Sequence, residues 1–361
     1  MKKILLILLL SLSSIYGESK IEIEKLIGNM FMVGFFGTNI DANSQITKDI
    51  KKYNLGGVIL FDKNPVNKFK AKNIISPYQV KTLSNNLQKF ANGKLLIAVD
   101  QEGGRVQRLS PKNGFSRKYS SPSQIIKTNN FGEYSYMAKE LNSVGVNFNL
   151  APVVDLAINP KNRVIVGLGR SYGKNPKVVV SSVTKFIKSM SNQGVLTSLK
   201  HFPGHGSSLG DTHKGFVDIT DTWSSIELKP YQELINRGMV DTIMVAHVFN
   251  RRIDSKYPAS LSKNTVNGLL RGDLGYNGVV ISDDLQMYAI SKHYSLRDII
   301  KLSINAGVDI MLFGNQISPK KILTTKKLVD TTYSLYKSGE ISLSQLKIAN
   351  DRINRLKGRY K

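Results

Sequence analysis

Eight short apolar runs recur along the chain, at residues 30–36, 57–61, 95–99, 146–150, 195–199, 242–246, 278–282 and 309–313. Most are valine, isoleucine, leucine and phenylalanine without polar alternation, as parallel strands buried on both faces require. The run at 146–150 departs from this, with Asn147 and Asn149 between its apolar residues, and Gly34 also allows 30–36 to be read as the end of a preceding helix. Segments of helical spacing lie between the runs, at 77–91, 133–143, 176–193, 225–237 and 296–306. Ser76 is placed to cap the first of them, with Pro77 at its first helical position. Eight strands alternating with helices predict an α/β fold of the (β/α)8 TIM-barrel type rather than a doubly wound sheet.

No repeat, composition break or proline-rich linker divides the chain, so residues 18–361 are read as one domain. The stretch 110–130, with Pro111 and Pro122, reads as a surface loop. The segment 342–357 carries Leu346, Ile348, Ala349, Ile353 and Leu356 at helical spacing and is expected to pack on the barrel. Residues 1–17 read as a signal peptide. Met1-Lys-Lys3 precedes the apolar run Ile4 to Leu10 and a small, polar stretch, with cleavage expected near Gly17. The apolar run is short for a membrane span, and an uncleaved anchor is the alternative. The expected product is a soluble exported protein.

A formal charge of +25 favours anionic partners, including an anionic membrane or cell wall. No arginine-rich arm or basic-aromatic module accompanies it, so basic residues spread over exposed helices are the preferred reading and nucleic acid is not expected. The absence of cysteine excludes disulfides, thiolate nucleophiles and iron–sulfur clusters. The spacing of His201, His205 and His213 matches no common zinc pattern, and no P-loop or Rossmann fingerprint occurs. Neither metal nor cofactor is expected.

Barrel active sites lie at the C-terminal ends of the strands. There the sequence places Asp100 and Glu102, with Arg108 close behind; Asp155 and Arg170; Lys200 and His201; His247; and Asp283 and Asp284. Asp283 follows its strand directly, and an ionised carboxylate there can attack an electrophilic carbon or stabilise a developing cation. Asp284 is read as a cap for the next helix. Asp211 and His213 share one side of an extended loop that follows Gly204, Gly206 and Gly210. The carboxylate can fix the imidazole tautomer and leave the other nitrogen to exchange a proton with substrate. A surface Asp-Thr-His turn is the structural alternative. His205 is assigned a structural role. For Arg108, Arg170 and Lys200 the alternative to a binding role is ion pairing with Asp100, Glu102 or Asp155.

Five stretches carry a family resemblance: Ala98-Val-Asp-Gln-Glu-Gly-Gly-Arg-Val-Gln-Arg108, Ala151-Pro-Val-Val-Asp155, Lys200-His-Phe-Pro-Gly-His-Gly206, Asp211-Thr-His213 and Gly278-Val-Val-Ile-Ser-Asp-Asp-Leu285. In this order they resemble glycoside hydrolase family 3, specifically its single-domain, NagZ-type β-N-acetylglucosaminidases. The resemblance implies a retaining mechanism with Asp283 as nucleophile and His213 as acid/base, oriented by Asp211. It implies an N-acetylglucosamine site of Asp100, Arg108, Arg170, Lys200 and His201. The implied substrates are muropeptides carrying β-1,4-linked N-acetylglucosamine on N-acetyl- or 1,6-anhydro-N-acetylmuramic acid. With an export signal, the implied setting is periplasmic. Thr212 stands where the pattern usually has serine, and Gln286 where it has a small residue. An imidazole acid/base also admits an anionic acceptor, so phosphorolysis is the alternative reaction. A non-catalytic wall-binding protein is the alternative of another class. A monomer is expected.

Overall fold

The computed structural model describes residues 18–67, 69–318 and 322–359; the signal-peptide reading of residues 1–17 lies outside them. The eight strands are β1 (Phe31–Gly34), β2 (Gly57–Ile59), β3 (Leu96–Val99), β4 (Phe148–Asn149), β5 (Leu196–Phe202), β6 (Thr242–Val245), β7 (Val279–Ser282) and β8 (Met311–Phe313). Each lies within or across one of the eight apolar runs. They pair in parallel in the order β7-β6-β5-β4-β3-β2-β1-β8. A parallel bridge between Ile281 and Ile310 joins the two ends of that order and closes the barrel. Every strand residue is buried, which is why the sequence shows unbroken apolar runs instead of alternation.

The predicted helices form at Pro77–Phe90, Glu133–Ser143, Pro176–Ser191 and Leu296–Ala306, and the fourth segment divides into a 3-10 turn, Ser225–Leu228, and a helix, Lys229–Asn236. The Ser76 hydroxyl accepts the Gln79 N–H, and Pro77 occupies the first turn, as expected. The C-terminal helix, Leu343–Lys357, begins with a reciprocal Ser342–Gln345 capping box. It is tied to the barrel floor where Asp309 accepts from both Arg271 (2.7 Å) and Arg352 (3.1 Å).

Two local expectations are corrected. The stretch 110–130 is not a plain loop: it holds a 3-10 turn, Pro111–Asn113, and a helix, Pro122–Thr128, capped by Ser121. The run read as ending at residue 199 continues through Phe202, with an irregularity between Leu199 and Phe202 that restores pairing with Val245. Lys200 and His201 are therefore strand residues at the barrel mouth, where the Lys200 N–H bonds the Pro152 carbonyl at 3.2 Å and the Lys200 carbonyl accepts the Val154 N–H at 2.8 Å.

Candidate active site

The polar strand ends converge on a cavity of about 350 Å3 whose wall includes Asp100, Glu102, Arg108, Arg170, Lys200, His201, Asp211, His213 and Asp283. All eight sequence-assigned site residues, with Glu102, thus share one chamber at the C-terminal mouth.

Asp283 sits at the end of β7, where its N–H bonds the Val245 carbonyl of β6 at 3.0 Å. Its Oδ1 accepts the Asp284 N–H at 2.7 Å. Burial alone would raise its pKa, but the imidazoles of His247, His201 and His213 and this N–H outweigh burial and hold the carboxyl at about 2. A buried carboxylate that stays ionised at neutral pH is what a nucleophile requires.

The floor is a chain of alternating charges. Glu102 is buried and accepts Arg170 in a bidentate pair, Nε at 2.7 Å and Nη2 at 2.8 Å. Its Oε1 also receives Lys200 Nζ at 2.7 Å. Lys200 reaches Asp100 at 3.1 Å, and Asp100 accepts Arg108 at 3.3 Å. Ion pairing and a position on the cavity wall are thus combined in the same side chains. Burial favours the neutral acid of Glu102, yet Arg170 and Lys200 hold its carboxyl well below the usual range. Among the described residues Arg108 Nε is buried without a hydrogen-bond partner, and the guanidinium lies over the Phe61 ring.

Because the folded pKa of Glu102 is depressed, its contribution to stability is complete above the unfolded value, about 4.3. It is lost as pH falls from there toward the folded value. Glu102→Gln leaves the buried Arg170 without its carboxylate and Lys200 with Asp100 alone, and is expected to cost roughly 3–5 kcal/mol at pH 7. The gap from wild type should narrow as pH is lowered below about 4. Thermal unfolding across that range checks this, and a gap independent of pH would refute the assignment.

His201 is fixed by Asp155, whose Oδ2 lies 2.7 Å from His201 Nδ1 while Oδ1 accepts the N–H groups of His201 (3.1 Å) and His205 (2.8 Å). A carboxylate only accepts, so Nδ1 carries a proton and Nε2 faces the guanidinium of Arg170 at 3.4 Å. His205 is buried, bonds the Ser208 hydroxyl through Nδ1 at 2.6 Å, and burial pushes its pKa down to about 4. Its expected structural role fits that neutral, internally satisfied ring.

On the loop, Asp211 Oδ1 accepts the His213 N–H at 3.0 Å and lies 3.1 Å from Nδ1. The turn and the dyad are therefore one object, and Nε2 is left for other work. The imidazole is mostly exposed, at 61% of its side chain. Between them Thr212 is buried, and its carbonyl accepts the Ala289 N–H at 3.2 Å. The glycines before the dyad answer mainly to close approach. A Cβ on Gly206 would meet the Leu156 carbonyl oxygen at 1.8 Å, and only Gly204 of the three has positive φ.

Asp284 departs from the helix-cap reading. Its Oδ1 accepts Gln286 N–H (3.0 Å) and Gly314 N–H (3.2 Å), tying the end of β7 to the end of β8. The next helix, Tyr288–Ser291, starts without a side-chain cap. Burial raises the Asp284 pKa to about 6. His247 holds the same turn from β6: its Nε2 lies 2.9 Å from the Asp284 carbonyl and Nδ1 2.7 Å from Ser260 Oγ. Lys72 was not anticipated. Fully buried, it donates to the carbonyls of Gly314 (2.7 Å) and Asn315 (2.9 Å) between the Phe36 and Phe61 rings. Burial lowers its pKa to about 7. Its partners lie more than 240 residues away, and no local pattern signals them.

An ionised strand-end carboxylate and an imidazole on the same chamber are the parts a glycosidic bond needs for cleavage, and with the closed barrel they define a (β/α)8 glycoside hydrolase. The chain belongs to glycosyl hydrolase family 3: residues 22–356 match the family's N-terminal domain. It is 34% identical over 294 residues to a beta-hexosaminidase of Tolumonas auensis, covering 79% of this chain and 82% of that one. It is 35% identical over 295 residues to beta-hexosaminidase A of Pseudoalteromonas piscicida, covering 74% of this chain but 47% of that longer protein. Among solved structures it is similar to a family 3 beta-N-acetylglucosaminidase from Paenibacillus sp. str. FPU-7, with a TM-score of 0.81 and 34% identity over 93% of this chain and 62% of that one. A beta-N-acetylhexosaminidase from Beutenbergia cavernae gives a TM-score of 0.79 at 27% identity, over 93% and 98%.

Proposed function

We propose that the protein is a retaining, exo-acting β-N-acetylglucosaminidase that removes terminal N-acetylglucosamine from peptidoglycan fragments. The observation that carries this reading is the shared chamber, in which the ionised Asp283 and the Asp211–His213 pair line one wall system above a charged floor. The beta-hexosaminidase relatives support the N-acetyl sugar. A chain exported through residues 1–17 would meet wall fragments outside the cytoplasm, which suits a periplasmic setting.

In the first step Asp283 forms a bond to the anomeric carbon as the bond to the leaving oxygen breaks. His213 gives that oxygen its proton, and a glycosyl ester on Asp283 results. In the second step His213 takes a proton from water, whose oxygen displaces the carboxylate and restores the enzyme. Arg108, Arg170 and Lys200 donate to sugar hydroxyls and the acetamido group, with Asp100 and His201 Nε2 accepting.

The expected result is release of 4-nitrophenol from the N-acetyl-β-glucosaminide well above release from the β-glucoside. Equal rates on the two would overturn the N-acetyl assignment. In phosphate buffer the sugar product is free N-acetylglucosamine, and formation of the sugar 1-phosphate would replace hydrolysis by phosphorolysis.

A further inference from the structure

Beside the catalytic chamber lies a second cavity of about 750 Å3. It is built largely by residues 62–65 and 69–71, which follow the end of β2 and are joined by an antiparallel bridge between Lys63 and Ala71. The two cavities share one wall residue, Gln316. Its amide is fixed from both sides: Nε2 donates to the Lys63 carbonyl at 3.0 Å, and Oε1 accepts Lys72 Nζ at 3.1 Å. The excursion after β2 is thereby attached at Lys63 to the loop after β8.

The lining has a definite chemistry. Lys63, Lys70 and Lys112 bring three cations against one carboxylate, Asp62. Among the described residues none of these three lysines forms an ion pair, in contrast to the closely paired cations of the chamber floor. Phe69 stands fully exposed on the excursion, and Ile74 and Ile75 add apolar wall. An exposed aromatic beside unpaired cations suits a ligand that offers both a ring or aliphatic face and carboxylates.

An exo-acting glycosidase holds one sugar in the chamber and must let the leaving group extend past its wall. We propose that the cavity formed by Lys63, Phe69, Lys70 and Lys112 is the subsite for a carboxylate-bearing leaving group, an acidic sugar or its attached acidic peptide. This rests on the reading of the reaction given above. The chamber sets which sugar is cleaved, and the lysine cavity sets which aglycone is preferred.

The test compares a matched pair of substrates: the disaccharide-dipeptide N-acetylglucosaminyl-N-acetylmuramyl-L-alanyl-D-isoglutamine with its carboxylate free, and the same compound with that group amidated. Exposed ion pairs contribute a factor of roughly 1.5–5 each. The triple variant Lys63→Ala/Lys70→Ala/Lys112→Ala should therefore lose about tenfold in kcat/KM on the acidic substrate. It should keep its rate on the amidated substrate and on the neutral 4-nitrophenyl glycoside, which also reports correct folding. The wild-type preference for the acidic form should shrink as salt is raised. An unchanged preference in the triple variant, or none in the wild type, overturns the subsite. Should the wild type fail to cleave the 4-nitrophenyl glycoside, the reading of the reaction falls instead. Calorimetric binding of the acidic compound to Asp283→Asn protein, with and without the three lysines, then still decides the subsite by the same tenfold difference.

Discussion

Asp283→Ala is expected to lower kcat on the 4-nitrophenyl N-acetyl-β-glucosaminide by at least about 10^4-fold, with the fold intact. The size follows from what the carboxylate supplies. It forms the bond that replaces the leaving group, and no neighbour can take over that role. Asp284 is adjacent in sequence, but its Oδ1 is engaged by the N–H groups of Gln286 and Gly314. Burial also pushes its pKa to about 6, so it takes up a proton in a weakly acidic range where Asp283, at about 2, stays ionised. The sign of the pH dependence follows as well. Asp283 stays charged down to about 2, so any acid-side loss of kcat/KM above pH 4 must come from another group or from unfolding. Asp283→Asn keeps the shape and removes the charge, and it should be as inactive as the alanine variant. Near-normal turnover in either one would remove Asp283 as nucleophile. A lowered melting temperature with proportional loss of activity would instead point to a structural role.

Much of the barrel is legible because its strands are buried on both faces, so that the apolar runs mark them directly. What was misjudged concerns polar residues inside elements. Lys200 and His201 look like the end of β5, yet the chain carries them to Phe202 because their charges are compensated by Glu102, Asp100 and Asp155 on neighbouring strand ends. The helix Pro122–Thr128 carries the same signal that marked Pro77–Phe90, a serine cap followed by proline. It is short, and the prolines and serines around it outweighed the cap. The site divides along the same line. Asp100 and Glu102 lie two apart just beyond β3, so their convergence on one cation, Lys200, is readable from spacing. The clamp on Asp155, by contrast, forms only when residues 201 and 205 come back to it through space. Asp284 shows the limit most clearly. A carboxylate just before a helix favours a cap on local grounds, whereas Gly314, thirty residues on, claims its oxygen once the barrel closes.

His213→Ala should divide substrates by their leaving groups. On a disaccharide, whose departing alkoxide needs a proton, kcat/KM is expected to fall by about 10^2–10^4-fold. With 2,4-dinitrophenol as leaving group the first step needs no proton donor, so that loss should largely vanish and the glycosyl ester on Asp283 should accumulate. Its slow hydrolysis then limits turnover, because the same imidazole is the base that activates water. Azide, a nucleophile that needs no base, should raise turnover of the dinitrophenyl substrate and yield the β-glycosyl azide, the same anomeric configuration as the substrate. The structure gives reason to expect this selectivity and not general damage. His213 is mostly exposed, its imidazole contacts Asp211, and the loop is fastened instead through buried Thr212 and Gly206. Removing the imidazole therefore leaves the fastening in place and takes away only the proton. Asp211→Asn should produce a weaker version of the same pattern, since an amide can still accept from Nδ1 but lacks the charge that stabilises imidazolium. Equal losses on disaccharide and dinitrophenyl glycoside, with no response to azide, would return the dyad to the status of a surface turn.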